Sequence, residues 1–225
     1  MDKVLEVQGL SKVYGRGCAQ CFELTGPEAN TNICTNCGSV VAAHDISFDL
    51  YKGEILGIMG ESGSGKSTSV KCLYFDEEPT LGRATFYDQG KQHDLFNLNA
   101  AEQRQMASRR FGMVYQNPYL GLNFDISAGG NIAERLLMSS VSHYGEIRGR
   151  AKNLLARTEV PTARIDALPK TFSGGMQQRV QIAKALSTYP PLLFLDEVTT
   201  GLDLSVQAAI LDLILEIQQE MEIQQ

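Results

Sequence analysis

The chain has 225 residues, of which 43% are hydrophobic, enough to build one large domain or a core with a small subdomain. Acidic residues number 26 against 20 basic ones, and the net charge of -6 argues against a nucleic-acid partner, which usually requires a basic surface. No apolar run is long enough to cross a membrane, and Met1–Leu10 lacks the layout of a signal peptide. We therefore expect a cytoplasmic protein without direct membrane insertion.

The first third of the chain predicts strands separated by a loop and by a glycine-rich turn. Val4–Val7 and Ile46–Leu50 alternate as strands do, and between them, at about residues 15–41, lies an insertion rich in Gly, Asn, Thr and Cys. Gly53–Met59 is an apolar run that predicts a buried strand, and Ser67–Leu73 predicts a helix. A strand, a glycine turn and a helix in this order form the usual setting of a phosphate-binding loop.

The rest of the chain is richer in helical patterns. Predicted helices are Asn99–Arg110, Gly130–Ser139, Glu146–Thr158, Met176–Ser187 and Ser205–Glu222, and predicted strands are Ala84–Tyr87, Phe111–Tyr115 and Pro191–Leu195. Asn99 is a candidate N-cap, with Gln103 placed to answer it. The alternation predicts an α/β fold with a mostly parallel sheet, in which residues 1–98 and 172–225 form the core and residues 99–171 a helical subdomain.

The glycine turn Gly60–Ser67 matches the phosphate-loop pattern G-x-x-x-x-G-K-[ST]. Its glycines allow successive backbone N–H groups to face an anion at a helix N-terminus. Lys66 is expected to reach the β- and γ-phosphates, and the Ser67 hydroxyl to bind magnesium, with Thr68 nearby. The predicted contacts of this loop with ATP are Gly60, Ser62, Gly63, Ser64, Gly65, Lys66, Ser67 and Thr68.

A second phosphate-related feature is the apolar stretch Leu192–Leu195, which ends in Asp196 and Glu197. A carboxylate at the carboxyl end of a strand can hold the magnesium shell beside a phosphate loop, which is the role expected for Asp196. The next carboxylate, Glu197, is placed to polarise the attacking water and is the predicted catalytic base.

The segment Phe172–Arg179 resembles the L-S-G-G-Q signature of ABC ATPases, with Phe172 in place of Leu and Met176 in place of Gln. The resemblance implies that Ser173, Gly174 and Gly175 open a helix whose N–H groups bind the γ-phosphate held by a second ABC subunit. It also implies hydrolysis only when two subunits enclose the nucleotide, with ATP and Mg²⁺ as cofactors. The implied fold is the P-loop NTPase cassette, with a RecA-like core, an antiparallel β subdomain and a helical subdomain.

Other positions match the same family. Gln116 matches the Q-loop glutamine, which binds magnesium and contributes to catalysis, and Tyr14 matches the aromatic residue that stacks on adenine. Thr200–Asp203 resembles the D-loop, whereas Val198 stands where the family usually has proline. The family's switch histidine is expected after a further strand, beyond Gln225.

Stretches outside the shared motifs resemble one branch of the family, the ABC ATPase encoded with the carbon–phosphorus lyase system of phosphonate breakdown. These stretches are residues 126–136, 143–148 and 164–169. The implied partner is the lyase core complex, with the helical subdomain as the docking surface. Three alternatives remain: the ATP-binding subunit of a dipeptide- or nickel-type importer, a DNA-repair ABC ATPase, and a chain that binds ATP but barely hydrolyses it because the switch-histidine segment is absent.

Four of the five cysteines form two C-x-x-C pairs, Cys18/Cys21 and Cys34/Cys37, separated by twelve residues. Two such pairs can complete the tetrahedral shell of a structural zinc ion, and an iron–sulfur site or no metal are the alternatives. We expect the insertion to replace a hairpin turn near the adenine side of the site and to contact a partner protein. Cys72 is expected in the core, and neither His44 nor His93 is expected to have a function.

Overall fold

The computed structural model describes residues 2–196, 208 and 211–216. The chain divides into two compact units, Met1–Gln103 and Arg104–Gln225. The predicted helix Ser205–Glu222 lies mostly outside the described residues, and those of its residues that are described, 208 and 211–216, are helical.

The first unit is built on a four-stranded antiparallel sheet in the order β2-β1-β3-β4. Its strands are β1 (Lys3–Tyr14), β2 (Val40–Tyr51), β3 (Leu81–Asp88) and β4 (Lys91–Asp94). Alternating apolar side chains on β1 and β3 are fully buried, because one face of the sheet forms the core of this unit. Helix α1 (Lys66–Leu73) contributes buried Cys72 and Leu73. A 3₁₀ turn, Leu95–Asn97, follows β4.

β1 is longer than predicted, since it continues past Gly9 to Tyr14. Gly9 has φ 62°, and the pairing with β2 shifts register on either side of Leu10, so a bulge accommodates the extension. Gly82 on β3 faces this bulge, and a Cβ there would lie 2.7 Å from the carbonyl carbon of Gly9. Glycine is therefore the residue that permits this close approach of the two strands.

The predicted strand Gly53–Met59 is wrong for the described structure. Residues 54–60 have no regular secondary structure, and Met59 is 95% exposed. An apolar run becomes a strand only when neighbouring strands satisfy its backbone groups, and none of the described strands pairs with this segment.

The second unit is mainly helical around a short parallel pair of strands, β5 (Phe111–Val114) and β6 (Leu192–Leu195). Besides the helical residues 208 and 211–216, its helices are α2 (Ala100–Arg109, which begins in the first unit), α3 (Pro118–Gly121), α4 (Ala128–Met138), α5 (Tyr144–Arg157) and α6 (Gly174–Leu186). Two 3₁₀ turns, Thr162–Arg164 and Pro169–Thr171, precede α6. One hydrophobic cluster, which includes Ile132, Leu154 and Ile182, joins α4, α5 and α6.

The strand directions differ from the mostly parallel sheet that the alternation predicts. The described strands of the first unit are all antiparallel, and only β5 and β6 are parallel. The reason lies in the connections: β3 and β4 are joined by a hairpin turn, whereas a helical crossover separates β5 from β6.

Side-chain caps fix several helix starts. Asn99 accepts hydrogen bonds from the N–H groups of Ala101 and Glu102, and the Glu102 carboxylate accepts from the N–H of Asn99 at 2.9 Å. The predicted partner Gln103 is thus wrong by one residue, because a capping box is closed by the third residue after the cap, which is Glu102. Ser127 caps α4 in the same way, accepting from Gly130.

Candidate functional site

The phosphate loop lies in the first unit, between residue 59 and α1. Helix α1 begins after Gly65, which has φ 91° and provides no side-chain cap. A Cβ at Gly65 would lie 2.0 Å from the carbonyl oxygen of Ala42 on β2, so this turn packs directly on the sheet. Only glycine combines that conformation with that contact, which explains the position of the last glycine in the pattern.

The side chain of Lys66 folds back onto the phosphate loop. Its Nζ donates hydrogen bonds to the carbonyl oxygens of Gly60 and Glu61, at 2.8 and 2.7 Å. Gly60 and Ser64 also lie close, since a Cβ at Gly60 would be 2.7 Å from Ser64 Oγ. Residues 60–64 are exposed. An anion can therefore reach the loop from solvent, where it would meet the Lys66 ammonium group.

Tyr14 lies at the end of β1, beside the start of α1. Burial raises the pKa of its hydroxyl, against the opposing effect of a hydrogen bond with Thr68. Lys12 Nζ lies 4.9 Å from the centre of the Tyr14 ring. Tyr14 as a whole is 38% exposed. The structure therefore brings the predicted adenine-stacking residue to the phosphate loop, within one compact unit.

The signature segment lies in the second unit and begins α6. The Ser173 hydroxyl accepts a hydrogen bond from the N–H of Met176 at 3.4 Å, and Ser173 and Gly174 are exposed. Phe172 is buried beneath the Arg164 guanidinium, 4.3 Å from the ring centre, and Met176 packs on the hydrophobic cluster. These contacts anchor the start of α6 in the hydrophobic cluster while Ser173 and Gly174 remain accessible to solvent.

Two buried glutamines of α6 hold the backbone just before the predicted Q-loop residue Gln116. Gln181 accepts from the Tyr115 N–H and donates to the Tyr115 carbonyl oxygen, both at 2.9 Å. Gln178 donates to the same carbonyl at 3.2 Å and accepts from Gln181 at 3.2 Å. A Cβ at Gly121 would lie 2.0 Å from Gln181 Oε1, so glycine makes room for this network.

The remaining predicted site residues follow the parallel strands. Gln116, which is exposed, comes two residues after β5, and Asp196, which is buried, comes directly after β6 and donates its N–H to Val114 at 2.9 Å. The two residues therefore lie at the same edge of the strand pair. The predicted base Glu197 lies outside the described residues, as do Val198 and the D-loop segment Thr200–Asp203.

The cysteine lobe, residues 15–39, joins β1 to β2 in the first unit. All four sulfur atoms of its C-x-x-C pairs lie within 4.8 Å of one another. The Cys18–Cys21, Cys18–Cys34 and Cys21–Cys37 sulfur pairs are 3.6, 3.7 and 3.5 Å apart. A tetrahedron with metal–sulfur distances of about 2.3 Å has edges of about 3.8 Å, so the four sulfurs fit a single ion.

The pKa values of two of these thiols shift in opposite directions. A backbone hydrogen bond with Cys18 lowers the pKa of Cys21, but burial and hydrogen bonds with the other three thiols outweigh it and raise that pKa to about 12. Hydrogen bonds from the hydroxyl and the backbone N–H of Ser39 lower the pKa of Cys37 to about 6. The thiolate, which is the form that binds metal, therefore predominates at neutral pH. Burial instead raises the pKa of Cys72 to about 11, as expected for a thiol of the core. His44 stacks on Phe22 of the lobe, with ring centres 4.4 Å apart.

Sequence reasoning missed Gln178, Gln181 and Ser39, the residues that brace these sites. Each is a polar residue that becomes buried only in the folded chain, and polarity alone does not predict burial. The one available signal is the pair Gln178 and Gln181, two polar residues at i and i+3 on the otherwise apolar inner face of α6.

No helix in the described part of the chain combines the length and the apolar character that a membrane crossing requires.

Comparison with known proteins links these sites to one family. Residues 43–200 match the family described as ABC transporter. The chain is 49% identical over 170 residues to the putative phosphonates utilization ATP-binding protein PhnK of Escherichia coli (strain K12), covering 76% of this chain and 66% of that protein. It is 34% identical over 230 residues to the dipeptide transport ATP-binding protein DppD of Bacillus subtilis (strain 168), covering 99% and 62%. The chain thus spans less than two thirds of either relative.

Solved structures show the same architecture. The dimeric structure of the ATP-binding cassette MJ0796 bound to ADP and Pi has a TM-score of 0.79 at 26% identity, covering 96% of this chain and 83% of that one. The structure of cbiO1 from Clostridium perfringens has a TM-score of 0.70 at 26% identity, covering 98% and 75%. These similarities confirm the predicted α/β cassette fold with its antiparallel sheet. Together, the phosphate loop, the signature helix and the family match show that the chain belongs to the ABC transporter family of P-loop ATPases.

Proposed function

We propose that this chain binds and hydrolyses ATP as a subunit of the carbon–phosphorus lyase system of phosphonate catabolism, and that two ABC subunits pair around the nucleotide. The observation that carries the proposal is the 49% identity over 170 residues with the E. coli phosphonates utilization protein. The identity with the B. subtilis dipeptide transport protein is lower, at 34%. The difference favours the phosphonate system over peptide import.

The proposed binding of ATP and magnesium is as follows. Adenine stacks on Tyr14, and the phosphates enter the loop of residues 60–68. Lys66 Nζ now donates to two loop carbonyls. It is therefore already at the loop and turns its protons to the β- and γ-phosphates when they arrive. Ser67 and Gln116 are proposed to bind magnesium directly, and Asp196 through a water molecule.

Hydrolysis is proposed to require both subunits. Glu197 takes a proton from the attacking water as general base. The second subunit presents its copies of Ser173, Gly174 and Gly175 to the γ-phosphate, as the helix start in this chain is exposed. Each hydrogen bond to the charged phosphate is worth about 1.5–3 kcal/mol, so the γ-phosphate holds the pair together until it is cleaved.

The test of this function is co-elution with a purified carbon–phosphorus lyase core, with and without ATP and Mg²⁺. Glu197→Gln should bind ATP, fail to hydrolyse it and co-elute with the core as a pair of subunits. Lys66→Ala is the control that should weaken ATP binding and abolish the ATP-dependent part of co-elution. Absence of association in every nucleotide state would reject the lyase assignment, and normal turnover by Glu197→Gln would reject the role of that carboxylate.

A second candidate is the ATP-binding subunit of a dipeptide- or nickel-type importer, because the alignment with DppD covers 99% of this chain. Its discriminating experiment is capture of membrane permease subunits by the Glu197→Gln variant in detergent. Permease capture combined with no binding to the lyase core would favour the importer.

The cysteine lobe is proposed to hold one structural zinc ion. The sulfur separations of 3.5–3.7 Å fit one central ion. The inorganic atoms of an iron–sulfur cluster would hold the cysteines farther apart. Four thiolates leave no open position, so the ion has a structural role. Metal analysis should give one zinc per chain, and visible absorbance from iron would contradict the assignment.

We further propose a cytoplasmic location, since paired free thiols that bind metal fit a reducing compartment. The expected partners are the second ABC subunit and the lyase core, without nucleic acid and without direct membrane insertion. The division into a core (1–98 and 172–225) and a helical subdomain (99–171) also stays a proposal, to be tested by limited proteolysis with and without ATP.

A further inference from the structure

We infer that the cysteine lobe shapes the adenine end of the nucleotide site, so that zinc binding and ATP binding strengthen each other. The inference rests on the proposed function, because it takes residues 60–68 as the ATP-binding loop. It goes further in giving the lobe a task within this chain, besides any contact with a partner. Three sets of contacts in the first unit carry it.

The first set lies where the lobe joins the sheet. Tyr14 and Val40 form the last pair of the β1–β2 ladder, so the lobe leaves and re-enters the sheet at the predicted adenine-stacking residue. Buried Ser39 accepts a hydrogen bond from the N–H of Gly17 at 3.0 Å, and its carbonyl accepts from the N–H of Cys34 at 2.8 Å. Cys34, a proposed metal ligand, is therefore hydrogen-bonded to Ser39, the residue directly before Val40.

The second set is a small apolar core shared by the lobe and the sheet. Cys21 and Cys34, one from each C-x-x-C pair, are buried together with Val13 and Val41. These valines are the neighbours of Tyr14 and Val40 and form the adjacent pair of the ladder. The sulfur atoms that would bind zinc are thus packed on the strand ends themselves.

The third set connects the strand ends to the phosphate loop. Tyr14 shares a hydrogen bond with Thr68 on α1. Ala42, the next residue after Val41, lies against Gly65, where a Cβ would come within 2.0 Å of its carbonyl oxygen. A displacement of either strand end therefore moves the aromatic ring or the floor of the loop.

The lobe has little besides a metal to keep it ordered. Residues 15–39 contain no helix or ladder strand, only turns and two isolated bridges, Gly26–Thr31 and Ile33–Val40. Its apolar contribution to the core is confined to Cys21, Cys34 and the partly buried Cys18, Phe22 and Leu24. Such a segment cannot offset its ordering entropy by burial, so the cross-link by the ion must hold it. Losing the ion should free the strand ends that carry Tyr14 and Ala42.

Coupling of this kind is reciprocal, so two independent measurements test it. The first is the dissociation constant of a fluorescent ATP analogue with Mg²⁺, for zinc-loaded protein and for protein treated with a zinc-selective chelator under reducing conditions. We expect removal of zinc to weaken binding by about tenfold or more, within the usual range of coupling between sites. The second is the zinc affinity from competition with a chelating dye, which ATP and Mg²⁺ should raise by the same factor.

Variants separate coupling from unfolding. Cys37→Ser removes the exposed ligand and should weaken ATP binding as zinc removal does, whereas Thr35→Ala, an exposed neighbour that keeps all four thiols, should change nothing. Ser39→Ala keeps the four thiols but loses the hydroxyl that accepts from Gly17 and donates to Cys37, so it should bind zinc more weakly and, when loaded at saturating zinc, still bind ATP more weakly. This variant tests the inference even if Cys37→Ser fails to fold.

The outcomes are distinct. Equal ATP affinity with and without zinc, or an unchanged zinc affinity in saturating ATP, overturns the inference and leaves the proposed function standing. Failure of the zinc-loaded wild-type protein to bind ATP overturns the proposed function itself. Weaker ATP binding by the zinc-loaded Ser39→Ala variant, with Thr35→Ala unaffected, supports the coupling.

Discussion

Helices α1 and α6 both begin at a glycine-containing motif that the ABC family uses to bind phosphate, yet the two helix starts are stabilised differently. α1 follows Gly65 without a side-chain cap, and Lys66 folds back to the carbonyls before it. α6 is capped by Ser173, and its start is anchored in the hydrophobic cluster by Phe172 and Met176. The first start depends on backbone conformation and leaves its N–H groups for a ligand. The second is capped and anchored by side chains of the same chain, so it can bind another molecule without rearranging.

The largest effect should come from Gly65→Ala, which attacks the backbone on which the α1 start depends. Its φ of 91° is unfavourable for alanine, and the added Cβ would lie 2.0 Å from the Ala42 carbonyl oxygen. The conformation alone costs about 1–3 kcal/mol, and relieving the contact must also shift the loop. We expect loss of measurable ATP binding and a lower melting temperature. Gly149→Ala on α5, where a Cβ meets nothing within 4 Å, is the matched control and should retain ATP binding.

Lys66→Ala should have the next largest effect, since it removes the loop's cation but keeps its backbone. Loss of a charged hydrogen bond to phosphate costs about 1.5–3 kcal/mol, or roughly 10- to 150-fold in affinity. Isothermal titration with ATP and Mg²⁺ measures this change, and Lys91→Ala on β4 provides a surface control. Unchanged affinity would show that Lys66 stays on the carbonyls of Gly60 and Glu61 when ATP is bound.

Gln181→Met tests whether the hydrogen bonds between α6 and the backbone of Tyr115 stabilise the fold and support magnesium binding. Methionine keeps the volume but leaves the Tyr115 N–H without its acceptor, which should destabilise the fold by about 1–3 kcal/mol. Because Gln116 follows Tyr115, we also expect a higher Mg²⁺ concentration for half-maximal ATP hydrolysis. The same substitution at exposed Gln105 should change neither quantity. A loss of stability with an unchanged Mg²⁺ dependence would limit Gln181 to packing.

The smallest stability change should follow Ser173→Ala. Removing an N-cap typically costs about 0.5–2 kcal/mol, and the long contact of 3.4 Å to Met176 places this case at the low end. Hydrolysis should nevertheless fall much more than stability does, because the proposed function places this hydroxyl at the γ-phosphate held by the second subunit. Denaturant melts and steady-state hydrolysis separate the two effects. Ser142→Ala, at an exposed position, serves as the control.

The two helix starts also show what could be predicted from the sequence. The motifs at Gly60–Ser67 and Phe172–Arg179 were recognisable because backbone conformation and capping demand particular residues at fixed spacing. The extents of α1, β5, α5 and α6 were predicted to within two residues, because their periodicity is local. The Cys18, Cys21, Cys34 and Cys37 cluster was likewise predicted from spacing, and the structure brings the four together.

What could not be predicted depends on distant neighbours. Gly53–Met59 has the composition of a strand, but strand formation requires partners that composition does not specify. The hydrogen bonds of Gln181 to Tyr115 join residues 66 positions apart. The approach of Gly65 to Ala42 depends on how the loop settles on the sheet. Each of these is a tertiary contact and leaves no local pattern.

The pairing of Tyr14 with Val40 has a consequence for how the chain can vary. Two residues paired across an antiparallel ladder are only about 5 Å apart, a gap that a two-residue turn can bridge. Residues 15–39 therefore form a removable cassette: a chain could gain or lose the whole metal-binding piece in a single event without altering a strand of the sheet. Among relatives the piece should accordingly be present or absent as a unit, and a shortened chain with a tight turn after Tyr14 should still fold its sheet.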